Sequence, residues 1–351
     1  MNSKTSFPTV ALGRSGMEIT RIGLGAWAIG GNGWAVGWGR QDDADSIAAI
    51  RHAVDRGINW IDTAAVYGLG HSEEIVRRAL AQMAPDDRPY VFTKCGLTWS
   101  DEQPQAMPRR TGAPSSIRRE LENSLRRLGV ERIDLYQMHW PAGDGTPLEA
   151  YWQELLDLKQ AGKVRAVGLS NHNLAQVRTA EFLGHVDTLQ PPFSAIQRAA
   201  GNDLIPWCAA NGTGVIVYSP MHSGLLTGGF SAQRAQSLPP DDWRSRHADF
   251  RSPELERNLA LADAFKPIAE RHGATVAAVA AAWTLAWPGV TGAIVGARSA
   301  AQVDGLIGAA ELELDADDML AIADAIELTG AGSGPLRPPD ETGSLPANLF
   351  A

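Results

Sequence analysis

Cysteine is nearly missing from this chain of 351 residues: only Cys95 and Cys208 are present. Neither belongs to a CxxC pair, which argues against a disulfide framework or a thiolate metal site. No run reaches the ~18 apolar residues of a membrane span. The opening stretch, MNSKTSFPTVALGRSG, has no apolar core of a signal peptide. Basic charge is also short, with 31 Lys and Arg against 40 Asp and Glu and a net charge of −9. A nucleic-acid partner needs clustered cations, so it is not expected, although a local basic pocket for one phosphorylated cofactor remains compatible. The expectation is a soluble cytoplasmic protein with neither a nucleic-acid nor a membrane partner. Its oligomeric state stays open.

Apolar residues make up 44% of the chain and charged residues 20%, which suits a globular fold with a real core. Short aliphatic runs alternate with longer helical patterns. Strands are expected near 21–25, 58–63, 90–95, 132–139, 164–170, 186–190, 214–219 and 291–296. Helical patterns fall near 42–56, 71–83, 114–128, 147–161, 173–183, 202–211, 275–286 and 299–309. Such alternation indicates parallel βαβ units, and eight of them favour a closed (β/α)8 TIM barrel over an open sheet. The whole chain, 1–351, is read as one such domain. Asp42 is placed to cap the first helix, and Gly57, Gly129 and Gly162 each follow a helical pattern. An N-terminal hairpin near 10–19 is placed to plug the barrel bottom. Residues 228–253 interrupt the alternation as a long, lid-like insert. Additional C-terminal helices are expected near 254–272 and 315–328. The tail 330–351, rich in Gly and Pro, is expected to be irregular.

Barrel chemistry sits at the carboxyl ends of the strands. The polar residues there are Asp62, Tyr67 on the following loop, Lys94, His139, Ser170 with Asn171, Gln190, and Tyr218 with Ser219. A free tyrosine has a pKa of ~10, and a nearby ammonium lowers it. Asp62, Lys94 and Tyr67 can form such a relay, with His139 hydrogen-bonding the reacting oxygen. Each residue alone has a bland explanation: a cap, a solvated strand end, a loop aromatic, a core histidine. Their joint placement at strand mouths favours the relay. Two look-alikes are set aside. Tyr90 and Lys94 have a YxxxK spacing, but four residues along a strand span ~13 Å, so they cannot be partners. GLGAWAIGG (23–31) echoes a dinucleotide fingerprint, but its glycine spacing fails and no helix pattern follows. Trp27, Trp34, Trp38, Trp99, Trp140 and Trp243 fall on predicted mouth loops or in the insert, pointing to an aromatic substrate cleft. Arg109, Arg110 and Arg118 read as a solvated basic surface.

The stretches NWIDTAAVYG (59–68), VFTK (91–94), IDLYQMHWP (133–141), VRAVGLSN (164–171), VYSPMHSGLLTG (217–228) and IVGARSAAQV (294–303) resemble the aldo-keto reductase family in content and order. SEEIVRRAL (72–80) and GLLTG (224–228) look closest to its bacterial, potassium-channel-β-like branch. The resemblance implies metal-free, NAD(P)H-linked interconversion of an aldehyde or ketone, such as a sugar or other hydroxy-ketone, with its alcohol. Carried over by position, Tyr67 is the general acid, Lys94 and Asp62 tune it, and His139 orients the carbonyl. Ser170, Asn171 and Gln190 would hold the nicotinamide carboxamide, and Tyr218 would stack on its ring. Gly25, Ala26, Trp27 and Asp62 would border the cofactor. Ser219, Pro220, Met221, Ser223, Gly224 and Leu225 would wrap the pyrophosphate, and Gly296, Arg298 and Gln302 would reach the adenosine. Trp27, Tyr67, Trp99, His139 and Trp140 would meet the substrate. Where the family often carries Glu-Asn, this chain has Gly305 and Leu306, so an NADP(H) preference over NAD(H) rests on Arg298. The resemblance also allows a second reading, a redox-sensing binding subunit of an ion channel or other partner with slow catalysis.

Overall fold

The structure, a computed structural model, describes residues 7–339. Eight parallel strands close a barrel in sequential order: β1 (Ile22–Gly25), β2 (Trp60–Asp62), β3 (Tyr90–Cys95), β4 (Ile133–Met138), β5 (Val164–Ser170), β6 (Thr188–Gln190), β7 (Gly214–Tyr218) and β8 (Val290–Gly296). The expected (β/α)8 barrel is therefore the observed architecture. Its strands are apolar on both faces because one face meets the barrel interior and the other the helical layer.

Local signals set the element boundaries. The Asp42 carboxylate accepts hydrogen bonds from the amides of Ala44 (2.8 Å) and Asp45 (3.1 Å), starting the helix Asp43–Asp55. Gly129, at φ 67°, ends Pro114–Leu128 in the left-handed conformation that glycine adopts without a Cβ penalty. The single helix expected over 254–272 is two, Glu254–Ala264 and Lys266–Arg271. Pro267 opens the second because its ring cannot continue the first.

The bottom of the barrel is closed by the hairpin of Thr9–Ala11 and Glu18–Thr20. Leu12, Met17 and Ile19 on it pack with Trp60, Phe92, Leu135, Ala166 and Ile216 in one buried cluster. The Trp60 indole N–H donates to the carbonyl of Thr20 at 2.8 Å. Gly23 opposite must be glycine, since a Cβ there would lie 2.1 Å from the Trp60 ring.

Residues 228–253 are not an open loop. They hold a short helix, Ala232–Gln236, capped by Ser231, and tight turns at Trp243–Arg246 and Ala248–Phe250. The segment crosses the barrel mouth: the Trp243 ring stacks on Trp27 with centroids 5.6 Å apart, and Arg246 donates to the carbonyl of Ala35. After the helix Ala316–Thr329, the first part of the irregular tail is fastened down. Buried Arg198 donates to the carbonyls of Ala331 and Pro335, and its backbone amide donates to that of Ser333. The remainder of the tail, 340–351, lies outside the described residues.

Candidate active site

Strand ends and the loops that follow them bring Asp62, Tyr67, Lys94 and His139 together. Asp62 ends β2 and Lys94 lies near the end of β3, so both side chains reach the upper barrel. Tyr67 sits on the loop after β2. That loop is held against the one after β1 by mutual glycine contact. A Cβ on Gly68, at φ 60°, would lie 2.4 Å from the carbonyl oxygen of Gly30. Any side chain there would force the Tyr67 loop outward.

Lys94 Nζ contacts Asp62 Oδ2 at 2.5 Å, donates to the Thr63 carbonyl at 2.9 Å, and reaches Tyr67 Oη at 3.4 Å. Gln190 Nε2 donates to the other Asp62 oxygen at 2.9 Å. The His139 ring stands edge-on to Tyr67 with centroids 5.7 Å apart. Tyr90 lies at the opposite end of the strand that carries Lys94, against Arg165, as strand geometry requires.

Burial dominates the electrostatics. It raises the Asp62 carboxyl and lowers the Lys94 ammonium, while their mutual attraction opposes both shifts. Burial, followed by the negative charge of Asp62, pushes the Tyr67 phenol well above 10. This reverses the expected lowering: the ammonium at 3.4 Å is already neutralised by Asp62, so desolvation prevails and Tyr67 rests as a phenol. Burial, followed by Lys94, holds His139 well below 6.5, as a neutral imidazole.

A cavity of about 630 Å³ runs across the mouth. Gly25, Ala26, Trp27, Asp62, Tyr67, His139, Trp140, Ser170, Asn171, Gln190 and Tyr218 line it, together with Ser219, Pro220, Met221, Ser223, Gly224, Gly296, Arg298 and Gln302. Three anticipated residues do not. Lys94 lies beneath Tyr67, screened from the cavity. Leu225 is fully buried in the core, where its side chain packs under the loop after β7. Trp99 sits behind the wall, its N–H donating to Asp101 and Arg127 lying over its ring. Residues the sequence reading missed include Val66, Leu97, Met107, Phe230, Arg234, Arg244, Thr275 and Ala277, and Arg110, read as solvated surface, also lines the cavity, as do Gly305 and Leu306. The Arg-rich insert of an otherwise acidic chain was the available signal for Arg234 and Arg244.

The cavity fits an extended polyanion with a flat polar end. Ser219, His222, Ser223 and Gly224 have φ of 57°, 45°, 55° and 102°, giving a tightly curled backbone of the kind that receives phosphate. Arg298 is lowered by burial and then by the charge of Arg244, with Asp242 opposing and Arg234 adding a smaller repulsion, and a polyphosphate would relieve the repulsion between these cations. The Arg298 guanidinium meets the Gln41 side chain at 2.6 Å and the carbonyls of Trp38 and Arg40. Among the described residues it has no carboxylate partner within ion-pair distance. Near Tyr67, Tyr218 Oη donates to Asn171 Oδ1 at 2.8 Å, and Asn171 Nδ2 donates to the His139 carbonyl at 2.9 Å. A fixed polar ledge thus borders Tyr67 and His139.

The sequence pattern of the Aldo/keto reductase family matches residues 21–327. The chain belongs to that family. It is 35% identical to "Aldo-keto reductase YhdN" of Bacillus subtilis over 90% of this chain and 92% of the relative. It is 33% identical to the "NADH-specific methylglyoxal reductase" of Escherichia coli over 91% of this chain and 99% of the relative. The solved glycerol dehydrogenase of Gluconobacter oxydans superposes with a TM-score of 0.83 at 39% identity, covering 95% of this chain and 98% of that one. This aldo-keto reductase is therefore an oxidoreductase that interconverts carbonyl compounds and alcohols with a nicotinamide cofactor. The three relatives are all named as oxidoreductases, which favours the enzyme over the binding-subunit reading. No helix among the described residues is long and apolar enough to cross a membrane.

Proposed function

We propose that Tyr67 is the general acid of carbonyl reduction and the general base of the reverse reaction. The observation that carries this is the contact of Tyr67 Oη with a buried ammonium that is itself clamped to Asp62. In the reductive direction the carbonyl oxygen lies between Tyr67 Oη and the neutral His139 ring. His139 donates a hydrogen bond that polarises the carbonyl. A nicotinamide held against Ser170, Asn171 and Tyr218 would supply the hydride. Tyr67 then gives its proton to the substrate oxygen, which becomes more basic than a phenolate as the carbonyl is reduced. Its raised pKa suits that order, because the proton is retained until the oxygen can take it. Lys94 stabilises the phenolate left behind, and Asp62, held by Gln190, keeps Lys94 in place.

Ser170, Asn171, Gln190 and Tyr218 are proposed to meet the nicotinamide, and Ser219, Pro220, Met221, Ser223, Gly224, Gly296 and Gln302 the rest of the dinucleotide, a reading their place on the cavity wall supports. NADP(H) is proposed over NAD(H) because Arg298, without a carboxylate partner among the described residues, offers charge to a 2′-phosphate. One relative is named as NADH-specific, so the ratio of kcat/KM for NADPH and NADH is the deciding measurement. Residues 228–253 are proposed as the lid that opens to admit the dinucleotide, within a single barrel domain. A cytoplasmic setting goes with the two free, buried thiols. The substrate is a small oxygenated carbonyl, in keeping with the glycerol and methylglyoxal named for two relatives.

Tyr67→Phe is expected to abolish turnover while cofactor still binds, as read by fluorescence titration. Turnover near the unaltered rate would sink the assignment.

A further inference from the structure

Four arginines line the cavity: Arg110, Arg234, Arg244 and Arg298. Three of them stand by β7 and β8, on the insert and at the start of the last barrel helix, where the curled backbone suits a polyphosphate. Arg110 does not. It lies on the small hairpin of Leu97–Thr98 and Arg109–Arg110 that follows β3. In an eight-strand ring, β3 and β4 stand opposite β7 and β8. Arg110 therefore faces the side of the cavity that also holds His139 and Trp140, both immediately after β4.

Its guanidinium lies over the Trp140 ring, 4.3 Å from the centroid. Stacking on an indole fixes the plane of an arginine while leaving its edge N–H groups free. Among the described residues, no side-chain hydrogen bond or ion pair of Arg110 is present. The nearby Asp144 carboxylate is turned away onto backbone amides, with Oδ2 accepting from Gly112 and Oδ1 from Thr146, each at 3.0 Å. The two neighbouring arginines differ. Arg118 is held by Glu154 through two bonds of 2.6 Å, and Arg109, exposed like Arg110, does not line the cavity. Among the described residues, the only carboxylate lining the cavity is Asp62, already paired with Lys94.

We infer that Arg110, oriented by Trp140, selects carbonyl substrates that carry an anionic group, carboxylate or phosphate, at the end away from the reacting carbon. The inference rests on the assignment of Tyr67 and His139 as the carbonyl site. With the carbonyl at Tyr67, the distal end of a short chain points along the β4 side toward Trp140. A planar guanidinium there pairs with either anion through two parallel hydrogen bonds. The same charge adds nothing for a neutral chain of equal length.

The test compares matched aldehydes: succinic semialdehyde with butanal, and glyceraldehyde 3-phosphate with glyceraldehyde. In the unaltered enzyme at least one charged member is expected to show a kcat/KM about tenfold or more above its neutral counterpart. The responding pair identifies the anion as carboxylate or phosphate. Arg110→Gln should remove that advantage through KM and leave the neutral members unchanged, and Arg110→Lys should restore part of it. Quenching of tryptophan fluorescence in the NADP+-loaded protein should follow the same order without turnover. Neutral members that match their charged counterparts in both assays would overturn the inference. So would an Arg110→Gln variant that loses charged and neutral substrates in equal proportion. Failure of the Tyr67 assignment reads differently, as turnover that survives Tyr67→Phe.

Discussion

The two ends of this barrel are built from the same strands and solve opposite problems. At the bottom, Leu12, Met17, Ile19, Trp60, Phe92 and Leu135 fill the interior, and the one indole among them has a partner in the Thr20 carbonyl. At the mouth, Asp62, Lys94 and His139 are also buried and Tyr67 partly so, but all four are ionisable, and each is shifted in the direction that favours its neutral form. Among the described residues, the indole nitrogens of Trp34, Trp38 and Trp243 there have no hydrogen-bond partner. An unpaired indole alone does not mark the site, since Trp283 and Trp287 in the helical layer share it. The clustering of buried charge with open space does. The bottom is arranged for stability and the mouth for chemistry at the expense of stability.

Removing Lys94 should show that contrast most sharply. Lys94→Met leaves Asp62 buried without its cation, which is expected to destabilise the fold by about 3–5 kcal/mol. Turnover should fall about 100-fold or more. The double change Lys94→Met with Asp62→Asn should recover most of the stability in denaturant melts and none of the turnover. Recovery of both would mean that the pair is merely structural. At the other end, Trp60→Ala should cost about 3–5 kcal/mol of stability. Its kcat, measured below the melting range, should stay unchanged. A comparable loss of kcat would show that the two ends are coupled.

A smaller effect is expected at the cofactor end. Arg298→Ala should raise the KM for NADPH about tenfold and that for NADH little. Equal changes for the two cofactors would remove the basis for an NADP(H) preference. The smallest effect concerns pH. His139 is lowered in the fold from 6.5, so between that value and its folded pKa the unfolded chain binds more protons. Its contribution to stability is constant above about pH 6.5 and falls as the pH drops below it. His139→Gln should flatten the slope of stability against pH in that window, as followed by melts from pH 7.5 to 5. An unchanged slope would place the acid sensitivity elsewhere.

Much of the site was legible because each residue is tied to a strand end. Asp62, Lys94, His139, Ser170 and Gln190 follow directly from where the apolar runs stop. The hairpin plug followed from its position ahead of β1. What was not legible depends on where side chains point. Trp99 shares a loop environment with Trp140, yet it turns behind the wall to Asp101. Leu225 sits among the residues proposed to hold phosphate, yet it packs inward. Gln190 was expected to bind cofactor, but it also holds Asp62, a contact between residues 128 positions apart. Arg110 was grouped with Arg109 and Arg118, and only the Arg118–Glu154 pair and the Trp140 ring set the three apart.

By itself the sequence determined the barrel and pointed to the residues proposed for acid–base chemistry. The period of apolar runs and the fixed polarity of parallel βα units leave little choice in either. Only the tertiary structure decided the direction of the Tyr67 shift and which cations face the cavity. Desolvation and charge pairing act between residues that the barrel brings together, and neither can be read from spacing along the chain.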